Sequence, residues 1–151
     1  MKLNKSSRHL LSDAETIRTY LLGGRGVVTL ESPSGEHYTY AFRKPVDDDF
    51  PEDVIFIYLV SSEGKLFYLG MLEDLIFRLT KNSRYLLDSS PVKGAKYIVN
   101  MMKNNALVKR TQMKLYHEGL CGRCGRALSG EDSMQCGFGR TCRKAVCIEN
   151  G

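Results

Sequence analysis

Apolar residues recur along this chain with two different periods. Ser12-Asp13-Ala14-Glu15 has the spacing of a capping box, and Ile17, Tyr20 and Leu21 follow at i, i+3 and i+4 before Gly23-Gly24. Together these predict a short amphipathic helix over 12–22, opened by a hydroxyl cap and stopped by glycine. The period then shortens. Val27-Val28-Thr29-Leu30 and Tyr38-Thr39-Tyr40-Ala41-Phe42 are β-branched and aromatic runs flanking Ser32-Pro33-Ser34-Gly35, which carries turn chemistry. They read as a hairpin. Val54 to Val60, the turn Ser62-Glu63-Gly64-Lys65 and Leu66 to Leu72 read as a second hairpin, and Leu75 to Leu79 as a fifth strand. Ser90-Pro91 opens a second helix, with Ser as cap and Pro in the first turn, where no amide donor is missed. Ala95, Ile98, Val99, Met102 and Leu107 are spaced to cover a sheet face, and the Met101-Met102 pair reads as core packing.

Composition changes this picture little. At 151 residues, 42% hydrophobic and 26% charged, the chain resembles an average soluble protein. Its longest apolar runs, Val54 to Val60 and Leu66 to Leu72, fall far short of the roughly 20 residues that span a bilayer. Met1 to Lys5 is polar and carries no apolar run of a signal peptide, so a cytoplasmic location without membrane partners is expected. The acidic segment Asp47 to Asp53 reads as a solvated loop rather than a cation site. No glycine-rich phosphate loop is present, and no small-molecule substrate is evident.

Charge and cysteine point to one end. Residues 1–100 hold 13 basic and 13 acidic residues, whereas residues 101–151 hold 9 basic and 4 acidic ones. Such a basic C-terminal third fits an anionic partner or a unit whose positive charge offsets thiolates. All five cysteines, Cys121, Cys124, Cys136, Cys142 and Cys147, lie in that third, an odd number that favours metal binding over disulfides. In Cys121-Gly122-Arg123-Cys124-Gly125 two thiols are separated by two residues with Gly after the second, the spacing of a zinc knuckle. A structural zinc site needs two more ligands from His117, Cys136, Cys142 and Cys147. If a helix begins near Thr141, Cys142 and Cys147 sit about 140° apart on it and do not share an ion. Cys142 would instead present its thiolate at the helix N-terminus.

HEGLCGRCGRAL, then Ser133, then Gly137-Phe138-Gly139-Arg140-Thr141-Cys142, closely resembles an uncharacterised family of phage and prophage proteins with the pattern HEGxCGRCGRxL, a Ser, and GxGPxC. The resemblance extends upstream to IRTYLLGGRGVVTLESPSGEHYTYAF, FYLGML and the helix from Ser90 to Met102. It implies ligands at His117, Cys121, Cys124 and Cys142, with Cys136 as a rival fourth ligand; Arg140 stands where the family pattern has Pro. Cys147 is expected to be a small buried residue or a free thiol.

The expected architecture is α+β. A flexible segment, 1–11, precedes a small antiparallel sheet with two helices over 12–112, and a treble-clef-like zinc module follows over 113–151. Zinc held by four protein ligands keeps no position for water and acts as a staple. Arg123, Arg126, Arg140, Arg143 and Lys144 would project from it toward the phosphates of a nucleic acid, with Tyr116 or Phe138 available to stack and with little sequence selectivity. The phage character of the resemblance implies an alternative: an effector that binds and inhibits a host protein, such as a CRISPR, restriction or transcription enzyme, with the acidic loop mimicking nucleic acid. Enzymatic activity is not expected. His9, His37 and His117 are the only histidines, and none lies in a nucleophile or acid/base motif.

Overall fold

A computed structural model describes residues 8–46 and 49–150. Asp47, Asp48 and residues 1–7 lie outside the described residues, as do the side chains of 146–150 and with them that of Cys147. The fold is α+β, with a seven-stranded antiparallel sheet and five helices among the described residues. In chain order the strands are β1 (His9–Leu10), β2 (Arg25–Glu31), β3 (His37–Arg43), β4 (Val54–Val60), β5 (Leu66–Glu73), β6 (Ile76–Arg78) and β7 (Lys114–His117). The helices are α1 (Ala14–Leu21), α2 (Ser90–Lys103), α3 (Asn105–Arg110), α4 (Glu131–Cys136) and α5 (Arg140–Asn150). Strand order across the sheet is β1-β7-β2-β3-β4-β5-β6.

Both expected hairpins form, β2 with β3 and β4 with β5. The expected fifth strand shortens to β6, because Asp74 and Leu75 are taken by the turn. Their φ values of 50° and 60° belong to a two-residue turn of the I′ kind, whose twist matches the strands it joins. The first helix is capped one residue later than expected. Asp13 accepts from both the backbone N–H and the hydroxyl of Thr16, which one carboxylate can serve at once and a Ser12 hydroxyl cannot. The second helix likewise begins with Ser90 inside it, after Ser89. It stops at Lys103, because the Asn104 side chain caps α3 by accepting from Leu107 N–H, so Leu107 belongs to a third helix. Met101 and Met102 are buried core residues, as expected.

Alternation of side chains decides what each face of the sheet does. Val28 and Leu30, Tyr40 and Phe42, Ile55 and Ile57, and Leu69 and Leu72 form one core with Ile17, Tyr20 and Leu21 of α1 and Val92, Ala95 and Ile98 of α2. A β-bulge beside Ile57 and Tyr58 lets Leu69 enter this core while Tyr68 turns to the other face opposite Tyr58. Among the described residues that other face buries a small cluster of Val27, Ala41 and Val60, with Tyr58 and Leu120 packed against it. No described helix is long and apolar enough to cross a membrane.

The N-terminal segment expected to be loose is paired from His9 onward: β1 bonds to β7, and Leu11 N–H donates to Leu115 C=O at 2.8 Å. Segment 113–151, in turn, opens with a strand of the main sheet. β7 lies between β1 and β2, so the cysteine-bearing segment leaves directly from the sheet.

Helix and sheet approach closely at Gly94 of α2, where an added Cβ would lie 2.4 Å from Tyr40 Oη, a hydroxyl that donates to Pro91 C=O. Ala in a helix interior normally gains about 1 kcal/mol over Gly. Here the clash outweighs that gain. Gly94→Ala is expected to lower stability by about 1–3 kcal/mol, measured by urea unfolding, and Tyr40→Phe in the same chain to recover part of it.

Candidate metal centre

Local chain chemistry folds the knuckle before any ion is considered. After β7 the chain turns through Gly119 at φ 79° and pairs Leu120 with Ala127. Cys121 N–H donates to Arg126 C=O at 2.8 Å, and Gly125, at φ 78°, returns its N–H to Cys121 C=O at 2.9 Å. Glycine is required there for the positive φ. A second glycine-closed element docks on the first. Gly137 ends α4 in the left-handed region, its N–H donating to Ser133 C=O, and its own carbonyl accepts from Gly122 N–H at 2.9 Å. That bond delivers the first turn of α5, and Cys142 with it, to the knuckle.

Cys121, Cys124 and Cys142 converge, their Sγ atoms all within 4.8 Å of one another. Three corners of a tetrahedral zinc site with Zn–S bonds of about 2.3 Å stand roughly 3.8 Å apart, so a small contraction would make this a metal site. Backbone N–H groups of Arg123 and Gly139 already point at Cys121 Sγ, at 3.5 and 3.4 Å. Burial pushes the Cys121 thiol up, but donors from Cys124, Gly139 and Arg123 outweigh it and bring its pKa down to about 7. Cys142, buried without such backbone donors, is pushed up by desolvation. The Arg123 guanidinium lies 3.9 Å from Cys142 Sγ and favours its thiolate. Phe138, with half-buried Leu128 and Cys136, packs around Cys121 and Cys142.

The other ligand candidates lie outside this cluster. His117 is fully buried, and both ring nitrogens are engaged: Nδ1 accepts from Gly119 N–H at 3.1 Å, and Nε2 donates to Met134 C=O at 2.5 Å. Burial lowers its pKa against the opposing pull of the Met134 hydrogen bond, and as these bonds stand both ring nitrogens are occupied. It pins α4 and the knuckle to β7. Cys136 directs Sγ toward the carbonyls of Ser133 and Phe138 and receives the Arg143 guanidinium at 3.9 Å. Of the basic candidates, Arg123, Arg126, Arg140 and Lys144 are exposed. Arg143 is half-buried against Cys136.

Two further residues organise the site: Tyr20, outside any motif, and Glu118, inside the HEG stretch but without an expected role. Tyr20 of α1 is wholly buried; its hydroxyl donates to Leu120 C=O at 2.7 Å and accepts from Val27 N–H at 3.2 Å. Its ring stands 5.4 Å from His117 and 6.0 Å from Phe138. Glu118 is also buried, held by both carboxylate oxygens on Arg8 Nε at 3.0 and 3.1 Å and by the Thr29 hydroxyl, which Thr39 meets at 2.7 Å. In the sequence the only hint of this ion pair is a glutamate next to a histidine, because Arg8 and Thr29 lie far away along the chain.

Two substitutions separate a metal ligand from a structural pin. Cys142→Ser is expected to lose bound zinc, read by elemental mass spectrometry of the purified chain. His117→Ala is expected to keep it while losing about 1–3 kcal/mol in urea unfolding, since Gly119 N–H and Met134 C=O are left without their partner.

Residues 115–146, which run from β7 through the knuckle and α4 into α5, match the model of a family of unknown function, DUF6011. All three converging cysteines fall within the matched span, and the upstream stretches that carry the wider sequence resemblance fall outside it. No curated protein and no solved structure matches the chain.

Proposed function

We propose that Cys121, Cys124 and Cys142 hold a structural zinc ion, and that the unit it braces is a non-catalytic platform for nucleic acid. The observation that carries this reading is the convergence of three thiols from two separately folded turns. Soft thiolates in a tetrahedral arrangement favour zinc over hard cations. The fourth position then falls to a ligand other than His117 and Cys136 as they stand, such as water or a group brought by a partner. Structural zinc contributes on the order of 10 kcal/mol to peptide-sized modules. The buried apolar cluster around Cys121 is small enough to need it.

A three-thiolate zinc with a water could in principle activate it, and that requires a base in reach. The two titratable neighbours in the same turn are committed, Glu118 to Arg8 and Thr29, and His117 to Gly119 and Met134. This supports a staple over a catalyst. The nucleic-acid reading draws support from Arg123, Arg126, Arg140 and Lys144, all exposed on the braced unit; among the described residues no carboxylate lies within ion-pairing distance of them. Cationic side chains on a rigid support fit phosphate contacts, which position a chain on nucleic acid without themselves reading sequence.

Arg123→Glu with Arg126→Glu is expected to leave zinc content unchanged and to flatten the dependence of log affinity on log salt by about 1.4 for single-stranded probes, two lost phosphate contacts at about 0.7 each. Fluorescence anisotropy with labelled oligonucleotides measures it. Absence of binding by the unaltered, zinc-loaded chain at low salt would overturn the nucleic-acid reading, and a single stoichiometric protein partner would then favour a protein-directed effector.

A further inference from the structure

The sheet face turned away from α1 and α2 carries an ordered surface that begins beside the knuckle. Register pairs Arg25 with Arg43, Arg43 with Phe56, Phe56 with Met71 and Met71 with Arg78, so these five residues form one row on one face across β2 to β6. The next row on that face is Val27, Ala41, Tyr58 and Tyr68. The aromatic rings meet edge to face and none is stacked on another. Phe56 to Tyr68 is 5.9 Å between centroids, Tyr58 to Tyr68 is 5.8 Å, and Phe50 closes on Phe56 at 5.2 Å. They line a groove of about 780 Å³ whose far wall is Thr80, Lys81, Asn82 and Arg84, the last three exposed.

The charges here oppose one another in a way that folding alone does not favour. Arg25 and Arg43 sit directly across from each other on neighbouring strands, an arrangement that is destabilising for like charges. Among the described residues neither has a carboxylate within ion-pairing distance, and Arg43 Nε is buried without a hydrogen-bond partner. Burial, then the neighbouring Arg25, lower the pKa of Arg43. An anion bound between the two guanidinium groups would offset their repulsion. Arg25 also lies against the knuckle: a Cβ on Gly125 would come 3.0 Å from its Nε. The exposed Lys44 side chain and the Arg123 carbonyl both border Gly24. Cationic side chains of β2 and of the segment after β3 therefore border the knuckle.

We infer that this face binds single-stranded nucleic acid, with Arg25 and Arg43 on phosphates beside the knuckle, Phe56, Tyr58 and Tyr68 against successive bases, and Lys81 and Arg84 on the backbone beyond. The inference rests on the nucleic-acid reading of the knuckle and deepens it by naming the strandedness and the seat. Aromatic side chains on a sheet stack on bases only where the bases are unpaired, and arginines along the same surface follow the phosphates. Asp49, Glu52 and Asp53, next to Phe50 in the chain, are exposed, and their charge disfavours a polyanion at the Phe50 end of the groove.

The test uses the full chain loaded with zinc and fluorescein-labelled oligo(dT) and oligo(U), followed by anisotropy over a salt series. Tyr58→Leu with Tyr68→Leu is expected to weaken binding at least about tenfold with the salt slope unchanged, and Tyr58→Phe with Tyr68→Phe to bind as the unaltered chain does. Arg25→Gln with Arg43→Gln is expected to lower the slope by about 1.4. Ultraviolet crosslinking of the unaltered chain, which needs no variant to fold, is expected to label peptides containing Tyr58 and Tyr68. A duplex of equal length that competes equally well overturns the inference, as do crosslinks confined to residues 114–145 with unchanged binding by both double variants. In that last case the knuckle reading stands, whereas no binding by the unaltered chain overturns both.

Discussion

A single tyrosine holds the two halves of this molecule in register. Tyr20 projects from α1 into the junction of β2, β7 and the knuckle, and its hydroxyl closes a backbone donor of one and a carbonyl of the other. Around the ring the chain has no room for a side chain: a Cβ on Gly26, Gly122 or Gly137 would come within 3.0, 2.8 and 2.5 Å of it. Those three glycines belong to the start of β2, the knuckle and the end of α4, so one ring sets the separation of all three. Phenol burial on this scale costs free energy unless the hydroxyl is satisfied, and both of its partners are backbone groups that would themselves be orphaned without it.

This junction explains why the candidate metal centre can be nearly formed by hydrogen bonds alone. Arg25 N–H donates to Gly122 C=O at 2.8 Å, Gly122 N–H to Gly137 C=O, and His117 bridges Gly119 and Met134. Each bond removes freedom that an ion would otherwise have to overcome when gathering its thiols, and such preorganisation favours binding. The same bonds consume the imidazole. A histidine three residues before a knuckle looks the same in sequence whether its lone pair meets a metal or an amide. What decides here is the Met134 carbonyl, 17 positions away.

Much of the framework was legible from local chemistry. The hairpins β2-β3 and β4-β5 were, because apolar β-branched and aromatic runs flank turn residues. So was the Cys121–Cys124 pair, because its spacing and glycine are local; spacing alone left Cys142 one of several candidates, and the family resemblance singled it out. What escaped was set at a distance. His9-Leu10 and Lys114 to His117 are too short and polar to read as strands; β7 becomes one by pairing with distant β2, and β1 by pairing with β7. The bulge that sends Leu69 inward and Tyr68 outward breaks the alternation on which face assignment depends, so the aromatic row is invisible until register is known. Asp13 took the cap from Ser12 through a bond to the Thr16 hydroxyl that propensity rules do not weigh.

The position of β7 also has a kinetic side. It is an inner strand delivered late, flanked by the first strand of the chain, and the Arg8–Glu118 contact that closes this edge joins residues 110 positions apart. During synthesis β2 therefore leaves the ribosome with one side unpaired and waits for the cysteine-bearing segment to cover it. Contacts of such long sequence separation form slowly, and an open strand edge invites pairing with other chains. A segment made after residue 113 thus completes a sheet begun near residue 9, and a nascent chain truncated before residue 114 would carry an uncapped edge into the cell.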